Sequence, residues 1–225
     1  MVYIADINDY NELFFELALR LLPQEKLEET MKISHETSKK ETVLAWTLLR
    51  FALSKTSFAA FPALAFSERG KPFFENERLF FNLSHSKGRA CAAISSVGEI
   101  GVDVQKKSSF SPGMIKKVFA EGERSLAENV KSREALFTRL WAIKESFLKN
   151  TGTGIAFEFR SLDFSKQCFL ERFEKDGFHY STFSDGEFEF CVCAKEECEQ
   201  NFEYVPSKEL IDFVKITAKA AKGEV

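Results

Sequence analysis

From Glu36 to Lys55 the chain carries Val43, Leu44, Trp46, Leu48, Leu49, Phe51 and Leu53, apolar nearly all round when read at 3.6 residues per turn. Such a helix has no face to give to water and marks the interior of the fold. Arg50 lies within it, and a buried guanidinium needs an anionic partner. That partner is either an internal carboxylate or a ligand phosphate, which the guanidinium fork suits. A second helix is read from Phe137 onward, with Phe137, Leu140, Trp141, Phe147 and Leu148 on one stripe. Thr151-Gly152-Thr153-Gly154 stops it, with Gly152 placed for the left-handed C-terminal position. Trp141, Glu145 and Lys149 project from one side, a turn apart. Glu145 and Lys149 sit at the margin of the stripe, either facing a cleft or forming a surface pair.

The length, 225 residues, allows one large domain or two small lobes. A net charge of −3, with no basic stripe interleaved with aromatics, argues against a nucleic-acid partner. The segment MVYIADINDY has acidic residues early and does not read as a signal peptide. The apolar runs Val43–Leu49 and Phe58–Phe66 are too short to span a bilayer, so no membrane partner is expected. The five cysteines (Cys91, Cys168, Cys191, Cys193, Cys198) are odd in number and form no CxxC pair. They read as reduced, buried thiols, and a cytoplasmic location is expected. The three histidines, His35, His85 and His179, are scattered without zinc-ligand spacing.

In order, helices are expected over Asn8–Leu22, Gln24–Ile33 and Glu36–Lys55, then a strand–turn–strand over Phe66–Phe74. There Gly70 supplies the turn, and Pro72 extends Lys71 so that its side chain projects. Strands follow at Phe81–His85 and Ala90–Ser95. Ser84 and His85, at a strand end before the Lys87-Gly88 turn, suit an anion site. In the strand Ile100–Gln105, Ile100, Val102 and Val104 face one side, and Gly101, Asp103 and Gln105 the other. Gly101 leaves room for a ligand or another backbone. An aspartate in an otherwise apolar strand is costly alone, and a divalent cation resolves that cost. Magnesium is the natural candidate, since it takes one or two carboxylates with phosphate and water. Residues Lys106–Pro112 read as a linker, and the lobe boundary is placed there. A helix over Pro112–Ala120, a polar stretch over Glu121–Ser132 and the Glu145 helix follow. Strands are then expected near Phe157–Phe164, Cys168–Glu174, Phe178–Phe183 and Glu187–Lys195, with turns at Asp176-Gly177 and Asp185-Gly186. Ser207 caps a last helix to about Lys222.

Four motifs now stand in order: Gly70-Lys71-Pro72; Phe81-Asn82-x-Ser84-His85-Ser86; Gly101-x-Asp103-x-Gln105; and Trp141-x-x-Lys144-Glu145-x-x-x-Lys149. Together they resemble the 4′-phosphopantetheinyl transferases of the larger, two-lobed, monomeric Sfp-type, best over Glu36–Gly154. The resemblance implies an α+β fold of two similar lobes related by pseudo-twofold symmetry, each an antiparallel sheet packed with helices. The lobes are placed at residues 1–105 and 106–225. It also implies a reaction: transfer of 4′-phosphopantetheine from coenzyme A to a serine of an acyl or peptidyl carrier protein, releasing 3′,5′-ADP. Asp103 and Glu145 are then the Mg²⁺ ligands, with Mn²⁺ as an alternative metal. Lys71, Ser84 and His85 are phosphate contacts, with Arg50, Lys39 and Lys40 as further positions. Lys144 and Lys149 join the coenzyme A set. Glu145 is the general base, and Trp141 is mainly packing.

Gln105 stands where the family usually has a second acidic residue, and an uncharged amide ligand implies weaker metal binding or a different metal preference. Two other readings compete: a non-catalytic module that binds coenzyme A or a carrier, and a metal-dependent nuclease, which the near-neutral charge opposes. Lys116 and Lys117 are candidates to guide an acidic carrier.

Overall fold

Both long apolar segments fold as helices, and each backs a sheet. The computed structural model describes residues 1–58, 60–154, 159–197 and 201–221. In chain order the elements are β1 (Val2–Asp6), α1 (Glu12–Leu19), α2 (Gln24–Met31), α3 (Glu36–Ser54), β2 (Leu64–Phe66), β3 (Pro72–Phe74), β4 (Phe80–Ser86), β5 (Arg89–Ser95) and β6 (Ile100–Lys106). There follow α4 (Pro112–Val118), α5 (Glu121–Leu126), α6 (Arg133–Thr151), β7 (Arg172–Lys175), β8 (Phe178–Ser184), β9 (Phe188–Ala194), β10 (Phe202–Tyr204) and α7 (Ser207–Ala221). One sheet has the order β10-β1-β5-β4 and the other β6-β9-β8-β7, with β2–β3 a separate hairpin. Pairing is antiparallel except between β1 and β10, which run parallel.

The architecture is thus α+β, with the same construction twice: a four-stranded sheet and a 19-residue helix. Alternation along the strands stacks the layers. Tyr3, Ala5, Ala90 and Ala92 pack toward Leu44, Leu48 and Phe51 of α3. The opposite face of that sheet, Val2, Ile4, Cys91 and Ala93, packs on Ile100, Val102, Val104, Phe190 and Val192 of the other. Cys191 and Cys193 turn the other way, into the core with Leu140 and Ile143 of α6. Each fully buried Val, Ile or Phe on these faces contributes about 1.5–3 kcal/mol.

Chain order and lobe membership differ. The expected division after Gln105 leaves β6 in the first lobe, but β6 is ladder-paired with β9 along its whole length, in the second sheet. Conversely, β10 pairs with β1, and α7 buries Leu210 and Val214 in the core of the first sheet. Other differences are local. Val2–Ala5 is buried on both faces and lacks the alternation that marks a half-buried strand, so β1 carries little signal of its own. Glu121–Leu126 forms a short helix within the polar stretch. The strand expected near Phe157–Phe164 lies partly outside the described residues, and Phe159–Ser161 is a single 3₁₀ turn. Cys198 also lies outside them. Cys91, Cys168, Cys191 and Cys193 are free and buried.

The two sheets also meet edge to edge. β6 uses one edge for β9, which leaves the N–H groups of Val102, Val104 and Lys106 pointing the other way. Alternate side chains of β4 accept them: Asn82 Oδ1 from Val102 (2.9 Å), Ser84 Oγ from Val104 (3.3 Å) and Ser86 Oγ from Lys106 (3.3 Å). The strands run parallel with a constant offset, joined through side chains rather than by a backbone ladder.

Gly101 admits a backbone. A Cβ there would lie 2.0 Å from the Ser146 carbonyl oxygen and 2.4 Å from the Asn150 nitrogen of α6. Asn150 Nδ2 fixes the same approach by donating to the Glu99 and Cys193 carbonyls at 2.8 and 3.0 Å. Gly101→Ala must therefore push α6 off the sheet. The expected loss of unfolding free energy is about 3 kcal/mol, read by urea denaturation.

Candidate functional site

The seam and α6 together build the site. Ser132 caps α6 by accepting from the Ala135 N–H, and Gly152, at φ 65°, ends it in the left-handed region. Docked against Gly101, this helix places Lys149 over β6. Its ammonium donates to Asp103 Oδ1 at 2.6 Å and to Ser84 Oγ at 2.9 Å. Ser84 Oγ in turn donates to Asp103 Oδ1 at 2.8 Å, and Gln105 Nε2 donates to Oδ2 at 3.0 Å. Asp103 is 1% exposed, and every donor around it comes from a motif singled out above.

Glu145 and Lys149 line a cleft of about 260 Å³ together with Lys71, Arg69, Asn82 and Leu83. Lys71 reaches it from the β2–β3 turn, where Gly70 has φ +81°. Its Nζ pairs with Glu99 at 2.5 Å and donates to the Asn150 carbonyl at 3.0 Å. Burial raises the Glu145 pKa, the negative charge of Asp103 raises it further, and Lys149 opposes both. A folded-state pKa above the unfolded one means that the proton favours the fold. That contribution is complete below the ordinary carboxylate pKa and is lost as pH rises through the raised value.

The donor set suits a hard divalent cation. Two carboxylates, one destabilised by the other, present oxygen ligands beside lysines able to hold phosphate. Among the described residues no three His, Cys, Asp or Glu side chains converge on a metal position, so Asp103 and Glu145 make a two-carboxylate set. Gln105 turns its Nε2 to Asp103 while its Oε1 accepts from Ser86 at 3.4 Å, so the amide would have to rotate to serve as a ligand.

Other residues singled out from the sequence lie elsewhere. Lys144 is fully buried on the far side of α6, where its ammonium pairs with Glu123 at 2.6 Å and donates to the Val118 and Phe159 carbonyls. One residue before Glu145, it is turned roughly 100° around the helix, away from the cleft. Arg50 is buried beside Ser54, Phe58, Phe213 and Thr217, in a pocket that shares no lining residue with the cleft. Lys40 pairs with Glu12 of α1 and lies over the Phe15 ring, 5.4 Å from its centroid. Lys39 is half-buried in the first turn of α3 and does not line the cleft. His85, next to Ser84, points to α3, and its Nδ1–H donates to Glu41 Oε2 at 3.1 Å. Desolvation holds its pKa below the ordinary value and outweighs the attraction of Glu41. Trp141 packs on Phe159, with ring centroids 5.5 Å apart.

Sequence reading gives no role to Glu41, Glu99, Glu123 and Asn150, and places Asn82 in a motif without assigning it the Val102 N–H that it accepts. Glu41 is 5% exposed and also accepts from the Gly88 N–H at 2.5 Å, so it ties α3 to the turn after His85. A carboxylate just before the all-apolar stretch of α3 was the available signal.

Residues 99–198 match the model of the 4′-phosphopantetheinyl transferase superfamily. The chain is 34% identical over 99 residues to the 4′-phosphopantetheinyl transferase HetI of Nostoc sp., covering 40% of this chain and 42% of that protein. It is 30% identical over 146 residues to the 4′-phosphopantetheinyl transferase Sfp of Bacillus subtilis, covering 63% and 65%. Among solved structures, Thermotoga maritima holo-[acyl-carrier-protein] synthase aligns with a TM-score of 0.34 and 21% identity, over 45% of this chain and 64% of that one. The similarity to the 4′-phosphopantetheinyl transferase superfamily model covers less than half of the chain, and the chain spans less than two thirds of the length of the relatives just named.

Two stability outcomes follow from these burials. Lys144→Met should cost about 3–5 kcal/mol, because it strands the Glu123 carboxylate in the core. Adding Glu123→Gln should recover only part of that: it removes the stranded charge, but its single amide oxygen can accept from only one of the Ala120 and Phe164 N–H groups, which now bond Oε2 and Oε1 respectively. A double-mutant cycle by denaturant unfolding reads both. Glu145→Gln should raise the melting temperature at neutral pH without added divalent cation, because it removes a desolvated charge facing Asp103.

Proposed function

We propose that this protein transfers 4′-phosphopantetheine from coenzyme A to a serine of an acyl or peptidyl carrier protein. The observation that carries the reading is the convergence of four separate motifs on one place. Asp103, Ser84, Gln105 and Lys149 are linked by hydrogen bonds, and Glu145 and Lys71 share with Lys149 the cleft beside them. The relatives bear the name of this activity.

In this reading the cleft lysines, Lys71 and Lys149, bind the coenzyme A phosphates. Glu145 accepts the proton of the carrier serine as its oxygen attacks the phosphorus bearing phosphopantetheine. The phosphorus–oxygen bond to 3′,5′-ADP breaks, and 3′,5′-ADP departs. Raised by burial and by Asp103, Glu145 is a better base than an exposed carboxylate. Asp103 and Glu145 would hold the divalent cation, which supplies charge neutralisation on the pyrophosphate. Ser84, bonded to both Asp103 and Lys149, fixes their spacing. Lys116 and Lys117, exposed in the last turn of α4 near exposed Met114, are the basic residues proposed to meet an acidic carrier.

The test is intact mass of apo carrier proteins, both fatty-acid and peptidyl, after incubation with the protein, coenzyme A and Mg²⁺. The expected outcome is a phosphopantetheine adduct whose rate of formation falls at least about 100-fold in Asp103→Ala and in Glu145→Ala. Coenzyme A binding with no adduct on any carrier would favour a non-catalytic binding module instead. Charge reversal at Lys116 and Lys117 together should raise the carrier KM with little change in kcat, and an unchanged KM would remove them from docking.

A further inference from the structure

Lys149 stands between the cleft and Asp103. The lysine and Glu145 line the cleft, whereas Asp103 is 1% exposed and is not among the lining residues. The Asp103 carboxylate also already takes three protein donors, two of them on Oδ1. Oδ1 takes the Lys149 ammonium at 2.6 Å and the Ser84 hydroxyl at 2.8 Å, and Oδ2 takes the Gln105 amide at 3.0 Å. A cation that reaches Asp103 from the cleft meets an ammonium already on its oxygen. The local charge is unbalanced as well: Lys149 offsets one of the two carboxylates, and Glu145 pairs with no base through a hydrogen bond or ion pair among the described contacts. Because Gln105 is neutral, Asp103 and Glu145 are the two negative charges that the described residues offer the divalent cation, and one of them is held by Lys149.

We propose that Lys149 is an internal counter-cation that competes with the divalent cation for Asp103, and that its displacement delivers the ammonium to the anionic substrate. The inference rests on the reading of Asp103 and Glu145 as cation ligands. The lysine side chain is 28% exposed, so it has room to swing into the cleft. Ser84 Oγ, which touches both Nζ and Oδ1, is the pivot of the exchange. A phosphate in the cleft gives the released ammonium a new partner, so cation and anionic substrate each favour the binding of the other. Gln105 strengthens the competition, because it adds a donor to Asp103 where a carboxylate would have added a ligand.

The test is direct Mn²⁺ binding to the full chain, followed by electron paramagnetic resonance of the free ion, with no coenzyme A present. Lys149→Met is expected to bind Mn²⁺ about tenfold more tightly than the wild type, the scale on which a neighbouring cation shifts the affinity of a carboxylate for a proton. Lys71→Met, which removes a cleft lysine paired with Glu99 rather than Asp103, is expected to change the affinity less than about threefold. Unchanged or weaker binding in Lys149→Met overturns the competition. An equal gain in Lys71→Met also overturns it, by reducing the effect to charge at a distance. Undetectable binding in both the wild type and Lys149→Met overturns the competition together with the cation site.

Since Lys149→Met leaves Asp103 with fewer partners, the wild type supplies a second readout. In protein labelled with ¹⁵N-lysine, the hydrogen-bonded Lys149 ammonium signal is expected to vanish on saturation with Mg²⁺. Its persistence would overturn the proposal. Failure of the transferase reading looks different: the Lys149 effect on Mn²⁺ remains while no carrier gains an adduct. An adduct without any Lys149 effect leaves the transferase reading standing alone.

Discussion

The free edge of β6 is the constraint on which the rest depends. An edge strand exposes backbone N–H groups that must find acceptors when buried. Here β9 takes one edge, and Asn82, Ser84 and Ser86 take the other. A backbone ladder would have placed β4 close to β6 and made one continuous sheet. Side-chain acceptors hold the strands apart by the length of a short polar side chain. The two sheets therefore stay distinct, pack face to face through Ile4, Cys91, Val102 and Val104, and still share an edge. Ser84 has a double duty there: it accepts from the Val104 N–H and donates to Asp103, so the atom that closes the seam also orients the site.

The buried charges divide into two kinds. Lys144 and Glu123 form a closed pair with every polar atom answered: three acceptors for the ammonium, and the Ala120 and Phe164 N–H groups for the carboxylate. Such a pair holds α5 and the chain around Phe159 and Phe164 against α6, and contributes geometry more than net stability. The cleft is the opposite case. Asp103 and Glu145 repel, Lys149 answers only part of the charge, and Glu145 stays desolvated with its pKa raised. A fold tolerates that cost where function requires it. One helix carries both arrangements on adjacent residues, Lys144 and Glu145, because neighbouring positions lie roughly 100° apart around its axis.

Much of the site was legible because it is written in local periodicities. The i, i+4 spacing of Glu145 and Lys149, the alternation that places Asp103 beside Gln105, and the Pro72-extended Lys71 each fix a side-chain direction from a few neighbouring residues. Gly152 and Gly70 both occupy positive φ, as their stop and turn positions required. Arg50 and Lys40 show the limit. Arg50 was correctly seen as a buried guanidinium in α3, yet it faces α7 rather than the cleft, and Lys40 is held by Glu12. Periodicity gives the direction of a side chain relative to its own element, not the element that it meets.

The sequence by itself determined the helices other than α5, the hairpin turns, the buried character of α3 and the order of the four polar motifs, since each depends on residues within a turn or two of one another. Tertiary structure alone decided that Gly101 admits the backbone of α6 and not a ligand, that β6 joins the second sheet, and that β10 and α7 return to the first. The reason is range. β1 pairs with a strand about two hundred residues away, from Val2 to Phe202, and the core that Leu210 and Val214 join was begun by Tyr3. Contacts of that separation are selected by the fit of whole faces and edges, which no local window contains.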